Sequence, residues 1–461
     1  MRKLVFLGWV LPILFSKFFA FSEINIPELQ QKYQVPNVAI AYIDDEKINT
    51  HLSSLEGYGI VGDTSLFQIA SLSKTLFAVA VIHWAQANAV PLDSTLEELL
   101  KKYKVLKIPD RFLRISIREL LSHTSGIDEQ NYVGYSSIDH CSSLIQSIEG
   151  GSKTHGKLNI REAKRGEFNY SGGNYTLLQH IIEGITGLDF DLFMRRYLFD
   201  IWGMGESFPN QQLRFQNRVM SPHSIFGRPI PCKYFSEQAA AGMISNVRGL
   251  GLFTKTLLDS TQNRIRQAMI TGGNPEYGLG IEIDSIKDQI FLYHLGANFG
   301  WRAGIYMLPN LKQGLVILTN SESGFFLSNE ILQDWLHSLG LTNPSIVQSA
   351  KYEENVALYG AFSFLAVFFC RAVFLIYQAV FAIRKKRFSL KRFSWLIILG
   401  VVGLIWYILL YTPYLPPTGW IIASFMPYNF LYFSIALFAY LLIECIYKLF
   451  PKTCDNQKVK R

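Results

Sequence analysis

Apolar residues are spread unevenly along this chain, and their spacing divides it into three parts. At the start, Arg2 and Lys3 precede an apolar run over residues 4–15, and Ala20 and Ser22 come next with small-x-small spacing. That pattern predicts a secretory signal peptide over residues 1–22, with an uncleaved anchor as the alternative; either exports the chain beyond residue 22. At the other end lie three apolar runs, 356–383, 394–412 and 428–447. Each is long enough to cross a hydrocarbon core of about 30 Å as a transmembrane helix.

Between the ends, over residues 23–350, the period changes. Residues 38–43 read as a buried strand, Asp44-Asp45-Glu46 as a turn and 47–52 as the hairpin partner. Residues 71–87 read as a mostly apolar helix, and the chain to about residue 275 as helices and loops. Strand-like runs come next at 277–283, 289–294, 302–308 and 314–320, and 328–339 reads as a closing helix. Strands at both ends with helices between them predict one antiparallel sheet closed by distant parts of the chain. That is an α+β layered fold.

Charge sharpens this division. The chain carries a net +8, but residues 356–461 hold twelve Lys/Arg and two Asp/Glu, leaving −2 for residues 1–355. The basic character therefore belongs to the tail, and no nucleic-acid partner is expected. Arg384, Lys385, Lys386, Arg387, Lys391 and Arg392 separate the first two apolar runs, and Lys448, Lys452, Lys458, Lys460 and Arg461 come after the third. The loop before the third run has no charge. The positive-inside rule then makes the two basic segments cytoplasmic, the tail 448–461 included, and the 23–350 domain external. The signal peptide requires the same. The expectation is a multi-pass protein of the cytoplasmic membrane, with the lipid bilayer as partner and its main domain on the periplasmic or extracellular side. Arg371 lies mid-span, a costly position that reads as partner-facing. Cys141 and Cys232 fall in the exported part, where they either pair or remain two thiols. No Cys or His spacing suits a metal.

Three segments hold candidate chemistry. In FQIASLSKTLFAVAV (67–81), Ser71 and Lys74 are three apart at a helix start, which puts both side chains on one face. A serine hydroxyl needs a base to take its proton, a buried lysine can serve, and the helix N-terminus offers N–H groups to a developing oxyanion. In FNYSGGNYTLLQ (168–179), two glycines and Asn174 make a turn that can present Tyr170 into a cleft. A phenol near an ammonium can have a depressed pKa and act as a base. In YHLGANFGWRAGIYMLP (293–309), His294 and Gly296 sit at a strand end, where glycine admits a close-lying backbone and histidine can titrate near neutrality. His123 reads as a structural loop residue and Trp301 as a wall or core aromatic.

In order and spacing these segments resemble the three active-site elements of the serine β-lactamase and penicillin-binding-protein family. The elements are S-x-x-K (Ser71, Lys74), Y-x-N (here Tyr170-Ser171-Gly172) and K-T-G or H-x-G (here His294-Leu295-Gly296). LLSHTSGI at 120–127, AAAGMISN at 239–246 and YGLGIEI at 277–283 add to the likeness, which covers roughly residues 30–340. It is strongest with the class C β-lactamases, D-Ala-D-Ala peptidases, D-aminopeptidases and esterases of the group. The resemblance implies a layered α/β/α domain with an antiparallel sheet and a helical insertion. It implies an acyl-enzyme on Ser71, with Tyr170 and Lys74 sharing proton removal and the N–H groups of Ser71 and Ala297 forming an oxyanion hole. No cofactor is implied. Substrates would be small molecules or peptides, peptidoglycan stem peptides among them, and also D-amino-acid amides, small esters or β-lactams. Two departures stand out. Gly172 replaces the motif asparagine, with Asn174 as a nearby source of an amide. His294 replaces the lysine whose charge helps hold a β-lactam carboxylate, with Arg302 as an alternative charge. The competing expectation is a sensor that is acylated by cell-wall fragments or β-lactams without turnover.

Overall fold

A computed structural model of the protein describes residues 24–348, apart from 46, 104–107, 153–155, 210–216 and 226. The expected signal peptide, the three apolar runs and the basic tail lie outside the described residues. Among the described residues no helix is long and apolar enough to cross a membrane.

Strands β1 (Asn37–Asp44) and β2 (Lys47–Ser54) form the expected hairpin. Two short strands, β3 (Phe67–Gln68) and β4 (Phe208–Pro209), pair with β5 (Met243–Ser245) in a small separate sheet. The C-terminal strands are β6 (Glu282–Ile286), β7 (Gln289–Asn298), β8 (Trp301–Leu308) and β9 (Gln313–Thr319). The main sheet runs β2-β1-β9-β8-β7-β6, and every neighbouring pair is antiparallel. Val38 meets Thr319 across the β1–β9 ladder, so the two ends of the domain close the sheet.

Helix α1 (Ile26–Tyr33) starts on an Asn25 cap that accepts the Glu28 N–H at 3.3 Å. Between β2 and β6 lie α2 (Leu72–Ala87), α3 (Leu96–Tyr103), α4 (Ile117–Leu121), α5 (Leu144–Glu149) and α6 (Gly172–Thr186). Beyond them come α7 (Phe190–Met194), α8 (Gln238–Ala241), α9 (Val247–Leu258) and α10 (Asn263–Thr271). Helix α11 (Gly324–Ser338) ends the domain. Successive β1 side chains point to opposite faces. Val38 and Ile40 join a core with Tyr33 and Trp335, from α1 and α11. Ala39, Ala41 and Ile43 join the larger core with Leu250 and Phe253 of α9 and with α2. Both faces are covered, which is why β1 reads as a continuous apolar run. The result is the expected α/β/α layering with a helical insertion.

Three element boundaries differ from the sequence expectation. Residues 277–281 form a turn rather than a strand, closed by the Gly278 N–H on Ile281 O at 2.8 Å, with Gly280 at φ 74°; the ladder begins only at Glu282. Strand β7 runs past His294 to Asn298, and α11 starts at Gly324. Of the two alternatives for Cys141 and Cys232, the structure shows two free thiols.

Candidate active site

Helix α2 is apolar on every side and buried along most of its length, so it is a central strut rather than a surface helix. Ser71 is its N-cap residue, yet its hydroxyl makes no capping bond and stays available. Ala70 before it holds a left-handed φ of 50°, a conformation that costs a non-glycine residue about 1–2 kcal/mol. One turn on, the Lys74 Nζ lies 3.1 Å from Ser71 Oγ and donates to the Ala240 carbonyl at 2.7 Å. Lys74 is only 2% exposed and, among the described residues, no carboxylate is paired with it. Burial favours its neutral form and lowers its pKa to about 7. The small residues at 239–242 are what admit this contact. Their chain returns along α2, where the Met243 N–H bonds Ser73 Oγ at 3.1 Å.

Strand β7 supplies the opposite edge. A Cβ on Gly296 would meet the Ile69 carbonyl oxygen at 2.2 Å, so only glycine lets β7 lie against the segment leading into Ser71. The backbone that Gly296 admits is the protein's own, not that of a substrate. This contact brings the Ala297 backbone alongside Ser71, and both residues line a cleft of about 390 Å³. The ladder partner β6 stops at Tyr293, leaving residues 294–298 paired only with β8.

His294 is buried and bonded through both ring nitrogens. Its Nδ1 faces the Leu295 carbonyl at 2.9 Å, which can only accept, so Nδ1 carries the proton and Nε2 accepts from the Tyr277 hydroxyl at 3.0 Å. Burial, reinforced by Lys74, pushes its pKa down to about 3. The imidazole is therefore neutral across the physiological range.

Tyr170 hydrogen-bonds Ser71, and its ring centroid lies 4.9 Å from the Lys74 ammonium. Its pKa is raised by burial, not depressed as its place near a lysine in the motif pattern suggests. The free base of the pair is thus Lys74, and Tyr170 keeps its proton.

The wall behind Tyr170 rests on His123, which is more than the loop residue its sequence context implies. His123 is fully buried at φ 58°, with its ring 4.5 Å from that of Tyr170. Its Nδ1 accepts from the Ser171 N–H at 3.2 Å and from the Asn174 amide at 2.9 Å. Asn174 also accepts from Ser125 and does not line the cleft. Gly172 does line it, but a Cβ there would meet Tyr132 Cε2 at 2.6 Å and the Gln130 carbonyl at 2.8 Å. The room of the absent asparagine side chain is taken by residues 130–132. Arg302 is buried on β8, donates to the Asn298 and Trp301 carbonyls at 2.9 and 2.7 Å, and lies outside the cleft lining. Trp301 is a core residue.

The cleft thus gathers Ser71, Lys74, Tyr170, Gly172, His294 and Ala297 at one place, with Gly296 behind them and Asn174 turned away. It also contains Tyr132, Tyr277 and Glu282, which sequence motifs alone do not single out. Of these only Tyr277 and Glu282 carry a signal, since both fall in the YGLGIEI segment.

Comparisons with known proteins bear on the family and the fold. The chain is 25% identical over 198 residues to unguisins hydrolase ungD of Aspergillus violaceofuscus, covering 40% of this chain and 34% of that protein. It is 27% identical over 200 residues to penicillin-binding protein 4 of Amycolatopsis lactamdurans, covering 42% and 50%. The chain spans about a third to a half of the length of these relatives. The D-amino acid amidase of Ochrobactrum anthropi SV3, solved with L-phenylalanine, shares the fold at a TM-score of 0.56 and 19% identity, covering 68% of this chain and 97% of that one. The profile of the beta-lactamase family matches residues 24–335, which is most of the 461 residues, and the chain belongs to that family.

Proposed function

We propose that this protein is a serine hydrolase that cleaves amides or esters through an acyl-enzyme on Ser71. The observation that carries this reading is the Lys74 amine, buried, 3.1 Å from Ser71 Oγ and with a pKa near 7. In its neutral form Lys74 takes the Ser71 proton as the oxygen attacks the carbonyl. The N–H groups of Ser71 and Ala297 face the developing oxyanion. Tyr170 passes its proton to the leaving group and regains one from Lys74. Water then releases the acyl group. No step requires a cofactor.

The reading extends to the substrate and the setting. A neutral His294 gives a β-lactam carboxylate no cation, which favours peptidase, amidase or esterase action over β-lactam hydrolysis. Peptidoglycan stem peptides, D-amino-acid amides and small esters fit. The apolar runs and basic segments of residues 356–461 support a three-span tether that leaves the catalytic domain on the outer face of the cytoplasmic membrane.

The test uses the full chain and its Ser71→Ala variant with a fluorescent penicillin, a fluorophosphonate probe, a chromogenic cephalosporin and a short-chain nitrophenyl ester. Covalent labelling and product release are monitored together. Ser71-dependent turnover of the ester without cephalosporin hydrolysis is the expected result. Stable labelling without turnover would favour an acylated sensor instead. A folded protein with neither labelling nor turnover would refute Ser71 as a nucleophile.

A further inference from the structure

We propose that the cleft selects substrates carrying a positively charged group, such as a primary ammonium, near the scissile carbonyl, held by the Glu282 carboxyl and the exposed aromatic face of Phe168. This rests on the hydrolase reading and names the substrate class for that site.

The charges around the cleft point one way. Among the described residues, Lys74 is the one Lys or Arg in the lining, and its amine is engaged with Ser71 and the Ala240 carbonyl. His294 is neutral, with both nitrogens bonded. Lys233 lies 5.9 Å from the Phe299 ring without lining the cleft. A substrate carboxylate therefore finds no free cation in the lining.

Glu282 offers the opposite. It opens β6 and pairs with Tyr293, the residue before His294. Its carboxyl accepts hydrogen bonds from the Tyr293 hydroxyl and the Leu295 N–H. A carboxylate has about four lone-pair sites, so capacity remains for a ligand donor. Among the described residues no Lys, Arg or His forms an ion pair with it. Glu282 lines the cleft with partial exposure, and burial of its carboxyl raises its pKa to about 7. A neighbouring ligand cation would favour its charged form.

The aromatic lining adds to this. Phe168 is 41% exposed and stacks on Tyr277, with ring centroids 5.3 Å apart at 26°. Tyr170 meets Tyr277 edge-on at 6.0 Å. Tyr277 is itself buried and backs Phe168, whose outer face beside a carboxyl in a partly dry cleft attracts an ammonium group through its quadrupole.

The experiment measures kcat/KM of the full chain for alanine nitroanilides of both configurations. Each is supplied with a free amine, N-acetylated or N-succinylated, with nitrophenyl acetate as a neutral reference. The free amine should be preferred over the N-acetyl form by about tenfold or more, and the anionic N-succinyl form should be slowest. Glu282→Gln should bring the free-amine to N-acetyl ratio close to one, and Phe168→Ala should lower it less. Benzylamine should also inhibit the unmodified protein competitively, at lower concentration than benzyl alcohol, which requires no variant. Turnover of nitrophenyl acetate with no amine preference, or with preference for N-succinyl, would overturn the ammonium site and leave the hydrolase standing. Absence of Ser71-dependent turnover across the panel would overturn both.

Discussion

On the α2–β7 wall of the cleft, backbone packs directly on backbone, whereas the wall built from residues 123–132 and α6 is held by side chains. In the first wall Gly296 lies on the Ile69 carbonyl, and the Ala240 carbonyl anchors Lys74. In the second, His123, Asn174 and Ser125 hold one another, and the Tyr132 and Thr176 hydroxyls lie 2.6 Å apart. The difference assigns the work. The backbone wall fixes Ser71, the proposed nucleophile, and the backbone of Ala297, the proposed oxyanion donor, where small displacements are costly. The side-chain wall shapes what enters, and side chains can be exchanged while the chemistry stays in place.

Breaking the backbone wall at its reacting atoms gives the largest effects. Ser71→Ala should lower kcat/KM for any substrate by on the order of 10³-fold or more, with loss of fluorophosphonate labelling. Lys74→Ala should cost about 10²–10⁴-fold. Lys74→Arg should not restore the rate, because a guanidinium stays protonated. In the parent protein acylation should rise with pH through about 7 and then level off, as Lys74 loses its proton. Stability should change with pH in a matching way. The folded pKa of about 7 lies below the ordinary lysine value of 10.5, so the unfolded chain holds more protons between these values. The penalty of burying Lys74 is full below the folded value and is relieved as pH rises across the window. Lys74→Met should therefore raise the melting temperature most at pH 6 and least above pH 10. A constant difference across that range would contradict a neutral buried amine.

A smaller break spares the side chains. Gly296→Ala places a Cβ 2.2 Å from the Ile69 carbonyl oxygen, a backbone atom with little freedom to yield. Overpacking of this kind costs about 1–3 kcal/mol. The expected outcome is a lowered denaturation midpoint together with reduced kcat, since the Ala297 N–H shifts from Ser71. Unchanged stability and turnover would mean that β7 is not seated by this contact.

The backbone wall is also the legible one. Ser71 and Lys74 share a helix face because they are three apart, and that spacing is what brings the amine to the hydroxyl. The same rule explains why Asn174 cannot stand in for the motif asparagine. It is two residues beyond Gly172 on α6, and residues two apart do not share a face. What fills the room at Gly172 is Tyr132, forty positions earlier, and no local pattern links the two. The strand expected from residue 277 fails because 277–281 are held in a glycine turn. The pKa order of Tyr170 and Lys74 depends on burial from several elements at once, which spacing does not encode.

The side-chain wall can be tested as an exchange. Gly172→Asn should clash with Tyr132 and lower both stability and activity, and Tyr132→Ala should relieve part of that loss. The two changes should couple by about 0.5–3 kcal/mol in unfolding free energy, whereas additive losses would refute a shared space.

The smallest effect is expected at His294. With Nδ1 donating to Leu295 O and a pKa near 3, it undergoes no charge change between pH 5 and 8. A glutamine keeps one donor and one acceptor in that position. His294→Gln should therefore leave the pH profile of acylation unchanged over that range, with its inflection still near the Lys74 value, and alter kcat/KM only modestly. If the variant instead removed an inflection near pH 6, His294 would be a titrating member of the site, and the side of the cleft facing Glu282 would carry positive charge at acid pH.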